Sequence, residues 1–156
     1  LAGSATETRA RIIASWDSGA GLVNYCGHAG IDQLATENIF NAANAGALQN
    51  GGMLPLVTMF TCVAGRFELP GFTSLGEALL LNADGGMAGG LLPSGAAYHS
   101  DSMRLAEEFY RAVFAGKAKS AGEGLLTAMK NYVLRGGKVS LLNVYNWLGD
   151  PATELK

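Results

Sequence analysis

The sequence predicts an α/β fold, a three-layer α/β/α sandwich built on a mainly parallel sheet of about four strands. Three observations carry that expectation. Short apolar runs alternate with longer stretches of helical periodicity along the whole chain. Many of the 22 glycines cluster around the ends of those runs, at residues 19–30, 51–52, 85–95 and 136–137. Charged residues make up 15% of the chain, against roughly 25% in an average globular protein, as suits a sheet buried on both faces.

The elements follow in order. Thr6 is placed to cap a helix running to about Ser18, with Ile12, Ile13 and Trp16 on one side, ended by Gly19 and Gly21. Leu22–Cys26 is a first strand, followed by the tight turn Gly27-His28-Ala29-Gly30. From Asp32 as N-cap, Leu34, Ala35, Ile39 and Ala42 predict a second helix that lasts until Gly51-Gly52. Residues 54–61 read as a second strand delivering Cys62, and residues 63–73, with Gly65, Pro70 and Gly71, as an irregular loop. Ser74 starts a short helix carrying Leu75, Ala78, Leu79 and Leu80, closed by Asn82-Ala83-Asp84-Gly85. Residues 86–92 give a glycine-rich third strand, and residues 93–100 a loop holding Tyr98 and His99. Residues 101–114, capped by Asp101, show the clearest amphipathic stripe, in Leu105, Phe109, Val113 and Phe114. A further helix spans about 123–134, and residues 139–147 form the last strand before Gly149-Asp150-Pro151, where Asp150 is expected to make a turn. Trp16 and Trp147 read as core aromatics with a polar handle.

At 156 residues and a net charge of −2, the chain fits a single domain and lacks the basic footprint of a nucleic-acid-binding one. No apolar run approaches the ~18 residues that would span a bilayer. Residues 1–10 include Glu7 and Arg9 and no apolar core, so they do not read as a signal peptide, and the first residue is not methionine. The expectation is therefore a chain trimmed upstream or taken from a longer polypeptide. Two cysteines allow at most one disulfide, which leaves the redox compartment open.

In a parallel α/β sheet, chemistry collects at the carboxyl ends of the strands. His28 stands just past the first strand and Cys62 at the end of the second. If those strands are neighbours in one right-handed βαβ unit, their ends lie about 5 Å apart. A thiol of ordinary pKa near ~8.5 is partly ionised at neutral pH, and a nearby imidazole makes it a better nucleophile by taking its proton. The same imidazole later protonates a leaving amine. Backbone N–H groups of Gly27, Ala29, Gly30 and Cys62 are placed to hold an oxyanion. The natural reaction class is acyl transfer, with no cofactor and no metal.

Each residue also has a plainer reading. His28 between small residues suits a simple turn, and Cys62 suits an inert buried thiol. Cys26 reads as core. Tyr98 and His99, on the same rim, form either a wall of a substrate pocket or an ordinary surface loop. Cys26, His28, Cys62 and His99 lack the ligand spacing of a zinc site, and neither a dinucleotide loop nor a Gly-x-Ser-x-Gly elbow is present.

Four blocks, in order, carry a family resemblance. Val23-Asn24-Tyr25-Cys26-Gly27-His28-Ala29-Gly30 resembles the Asn-Tyr-x-Gly-His-Gly block of gingipain-type cysteine peptidases, which supplies a catalytic histidine. Residues 61–67 resemble the block around the nucleophilic cysteine, residues 74–79 with 85–88 the helix and strand that follow it, and 148–151 the end of the domain. The resemblance implies a caspase-like fold and a cysteine endopeptidase acting on protein or peptide substrates, with Cys62 as nucleophile and His28 as general acid/base. It also implies a secreted or cell-surface location and continuity with further upstream and downstream domains. Two departures stand out: Ala29 replaces the family's glycine, and only one helix precedes Leu22 where the family has two strands. Residues 1–156 are accordingly expected to be the C-terminal part of the family's catalytic domain, with the first strand an open sheet edge. The competing readings are a catalytically silent relative serving as an assembly or binding module, and a small-molecule-binding doubly wound domain.

Overall fold

The computed structural model describes residues 4–116 and 118–155. Leu1–Gly3, the start of the segment read as no signal peptide, lie outside the described residues. The order is α1 (Ala5–Asp17), β1 (Leu22–Cys26), β2 (Gln33–Leu34), β3 (Phe40–Asn41), α2 (Ala42–Ala45), β4 (Leu56–Phe60), α3 (Leu75–Leu80), β5 (Gly89–Pro93), α4 (His99–Tyr110), α5 (Ala121–Leu134), α6 (Val139–Leu142) and β6 (Tyr145–Gly149). The main sheet has four strands in the order β1-β4-β5-β6. β1, β4 and β5 are parallel, and β6 runs antiparallel to β5.

Alternation along the strands divides the core between two faces. Val57, Met59 and Leu92 pack with Trp16, Phe40, Leu75 and Leu79 on one side. Phe60 and Leu91 pack with Leu105, Phe109, Leu125 and Tyr132 on the other. The three layers expected from the sequence are therefore present. Trp16 is buried, stacks on Phe40 at 5.4 Å between ring centroids, and donates its indole N–H to the Gly86 carbonyl at 2.8 Å. Gly86 sits at φ +97°, and a Cβ there would run into the Leu79 carbonyl oxygen, so the turn before β5 admits only glycine.

Several expectations are corrected. The helix expected from Asp32 to about residue 50 is instead the β2–β3 hairpin followed by one helical turn. Ala35 (φ 58°) and Asn38 (φ 52°) take left-handed backbone, which breaks any helix there. The cap is Asn41, whose side chain and that of Asn44 exchange bonds with each other's backbone N–H. Ser4, not Thr6, caps α1, accepting from Glu7 N at 3.2 Å. Residues 139–147 are not one strand: α6 occupies the first four, and β6 begins at Tyr145. The strand expected over 86–92 begins at Gly89. Helix α4 starts at His99 with no side-chain cap; Asp101 lies inside its first turn, buried against Lys138 Nζ at 3.3 Å. Its end loosens into a π turn, Arg111–Ala115, which leaves Phe114 69% exposed rather than in the core. Asp150 does make its turn, accepting from Ala152 N at 2.8 Å.

Candidate functional site at the carboxyl rim of the sheet

β1 and β4 pair in parallel from Leu22↔Leu56 to Cys26↔Phe60. Two residues beyond that last pair stand His28 on one chain segment and Cys62 on the other. Their places at a common rim thus follow from register. His28 is exposed and Cys62 half-buried, and among the described residues no hydrogen bond joins them.

The turn carrying Cys62 is tightly anchored. Val63 N donates to the Gly95 carbonyl at 3.2 Å and Gly65 N to Pro93 at 2.9 Å, tying it to the end of β5. Val63 itself sits at φ 47°. A β-branched residue in left-handed backbone costs on the order of 1–3 kcal/mol, and such strain gathers at functional sites. Cys62 Sγ faces the Ala97 carbonyl at 3.6 Å, beside the start of α4.

The turn carrying His28 is anchored from the other side. The His28 carbonyl accepts from Tyr25 Oη at 2.6 Å and from Ala35 N at 2.8 Å. Gly30 N donates to the Gln33 carbonyl at 2.8 Å, which commits that N–H to the hairpin. Ala29 bridges to Leu34. Burial raises the Tyr25 hydroxyl pKa, partly offset by its contact with the Ala35 backbone.

Tyr98 and His99 stand next to Ala97, both exposed, with Lys138 Nζ 5.3 Å above the Tyr98 ring. Cys26, expected in the core, is exposed with its Sγ 3.3 Å from Met103 Sδ. It shares a face with Leu22 and Asn24 at the sheet edge, where covering is incomplete. Beneath the Cys62 turn, Thr61 Oγ1, Ser102 Oγ and Tyr145 Oη are buried without a hydrogen-bond partner. Burial pushes Tyr145 up to about 12, offset in part by the nearby Ser102 hydroxyl and Thr61 backbone. Sequence reasoning missed Tyr25, Val63 and Tyr145; only the Tyr-x-Gly-His spacing hinted at the first. Among the described residues, no group of three or more His, Cys, Asp or Glu side chains could hold a metal ion.

A groove of about 1120 Å³ opens at the opposite, amino ends of the strands, lined in part by Leu22, Leu54, Leu56, Phe109 and Phe114. It lies away from His28 and Cys62.

A family model described as peptidase family C25 matches residues 1–156. The chain is similar to the crystal structure of the Arg-specific cysteine proteinase gingipain R, with a TM-score of 0.85 and 23% identity over 95% of this chain and 36% of that one. It is also similar to a complex of the Porphyromonas gingivalis RgpB pro- and mature domains, at TM-score 0.83 and 22% identity over 95% and 37%. A third structure, that of a protease, superposes at TM-score 0.79 with 14% identity over 90% of this chain and 36% of its own. The chain thus spans little more than a third of the length of these solved relatives. No curated protein sequence matches it.

Proposed function

The chain belongs to peptidase family C25 and has the gingipain cysteine-peptidase fold, and from that premise we propose that it hydrolyses peptide bonds through the Cys62 thiolate with His28 as general acid/base. The observation that carries the proposal is the β1–β4 register, which sets both residues two positions beyond paired strand ends.

The thiolate attacks the scissile carbonyl carbon, and its C–S bond forms as the carbonyl electrons move to oxygen. The N–H groups of Cys62 and Ala29 receive that oxyanion, with Gly27 shaping the turn and Gly30 tied to the hairpin. The His28 imidazolium gives its proton to the amine as the C–N bond breaks, leaving a thioester. Water then gives a proton to His28 and its oxygen to the acyl carbon, and the thiolate departs. Tyr98 and His99 flank the same rim as a wall for the substrate chain.

Protein or peptide substrates and a secreted or cell-surface location belong to the same proposal, supported by family membership. Among the described residues no helix is long and apolar enough to cross a membrane.

The test is covalent labelling. A tagged peptide electrophile should modify Cys62, and His28→Ala should slow it by at least ~100-fold, the lower end of general acid–base contributions. If Cys62 reacts no faster than in denatured protein, the chain is instead a silent relative acting as a binding module.

A further inference from the structure

We propose that Tyr25 is a positioning residue for His28, acting through its hydroxyl and dependent on Gly27; this rests on the role proposed for His28.

The Tyr25 ring leaves β1, packs partly against the core, and turns its hydroxyl back over Gly27 to reach the His28 carbonyl at 2.6 Å. A Cβ at position 27 would stand 2.7 Å from that same oxygen, so only glycine lets the hydroxyl cross. The carbonyl also accepts from Ala35 N at 2.8 Å. With both acceptor directions filled, the peptide plane after His28 is fixed. The carbonyl carbon is bonded to the Cα that carries the imidazole, so tying this carbonyl to Tyr25 and to Ala35 N fixes where that Cα stands and keeps the turn from shifting along the rim. His28 is itself exposed and has no side-chain hydrogen bond among the described residues, leaving its backbone as the means of holding it. The spacing Tyr25-x-Gly27-His28 therefore encodes one device: a donor, a gap for it to pass, and the residue it holds.

The test reads Cys62 alkylation by iodoacetamide in a Cys26→Ser background, for the whole protein, at pH 6 and pH 9.5. With His28 beside Cys62 the rate at pH 6 should exceed that of His28→Ala, and this excess is the advantage the test follows. Tyr25→Phe keeps the ring and loses only the hydroxyl. It should lower the pH 6 rate by about 10-fold, less than the ~100-fold cost of a 1 Å misplacement, and leave the pH 9.5 rate unchanged. Gly27→Ala should match it, and the double variant should be no worse than either single one, because both remove the same bond. Mere destabilisation would lower the melting temperature without changing the ratio of the two rates. An unchanged ratio in Tyr25→Phe, with the advantage lost in His28→Ala, overturns the role of Tyr25 alone. An advantage that survives His28→Ala overturns the role of His28 and this proposal with it.

Discussion

Tyr145 shows how a single buried group sets a limit on pH tolerance. Its hydroxyl is 2% exposed as part of the residue, has no hydrogen-bond partner of good geometry, and is raised to about 12 by burial. In the unfolded chain it ionises near the ordinary ~10. A raised folded pKa means the folded state holds its proton longer, so its stability contribution is complete below pH 10 and is lost as pH rises to 12. At about 1.4 kcal/mol per pKa unit, the loss amounts to about 3 kcal/mol. Tyr145→Phe should remove most of the alkaline loss between pH 10 and 12 in denaturant titrations. At pH 7 it should cost under about 1 kcal/mol, since no made hydrogen bond is lost. Residue identity was legible at this scale, in that His28 and Cys62 stood out by type and place. Tyr25, Val63 and Tyr145 did not, because their importance lies in what they touch or in their backbone angle.

The elements owe their limits to caps more than to periodicity. Ser74 is fully buried ahead of α3; its hydroxyl accepts from Glu77 N at 3.2 Å, while Glu77 Oε2 accepts from Ser74 N at 2.9 Å and Ser74 Oγ at 2.8 Å. Since α3 follows the Cys62 turn and Gly76 N bonds to the Ala64 carbonyl at 2.9 Å, this cap supports the site from below. Ser74→Ala should cost about 1–2 kcal/mol, read as a lower denaturant midpoint with an unchanged slope. Glu77→Ala in addition should cost about 1 kcal/mol more, because the buried backbone N–H of residue 74 then loses its acceptor as well. The same logic explains the element that was misread. Leu34, Ala35, Ile39 and Ala42 fit a helical stripe, yet the β2–β3 hairpin forms because Ala35 and Asn38 turn left-handed and Asn41 caps only four residues. Asn38 tolerates that backbone by its own chemistry, whereas Ala35 is held there by the bond from its N–H to His28.

Across the whole molecule, covering of the sheet is uneven. β1 ends the strand order, with Leu22 40% exposed, and Phe114 faces the adjoining groove with Leu54 39% exposed nearby. Exposed apolar surface of this kind promotes association. Leu22→Lys and Phe114→Glu should each reduce light scattering at high concentration while leaving stability within about 0.5 kcal/mol, as exposed substitutions do. The sequence by itself determined the alternation of strands and helices, the two-sided core and the rim candidates, because burial on both faces and turn chemistry are written locally in apolar runs and glycines. Only tertiary structure decided that β1 lies beside β4 in a register placing His28 and Cys62 level, that residues 32–45 form a hairpin and one helical turn, and that Cys26 faces solvent. The first outcome depends on bonds between segments far apart in the chain, the second on left-handed backbone at Ala35 and Asn38 that overrides the helical spacing of the apolar residues, and the third on incomplete cover at the sheet edge.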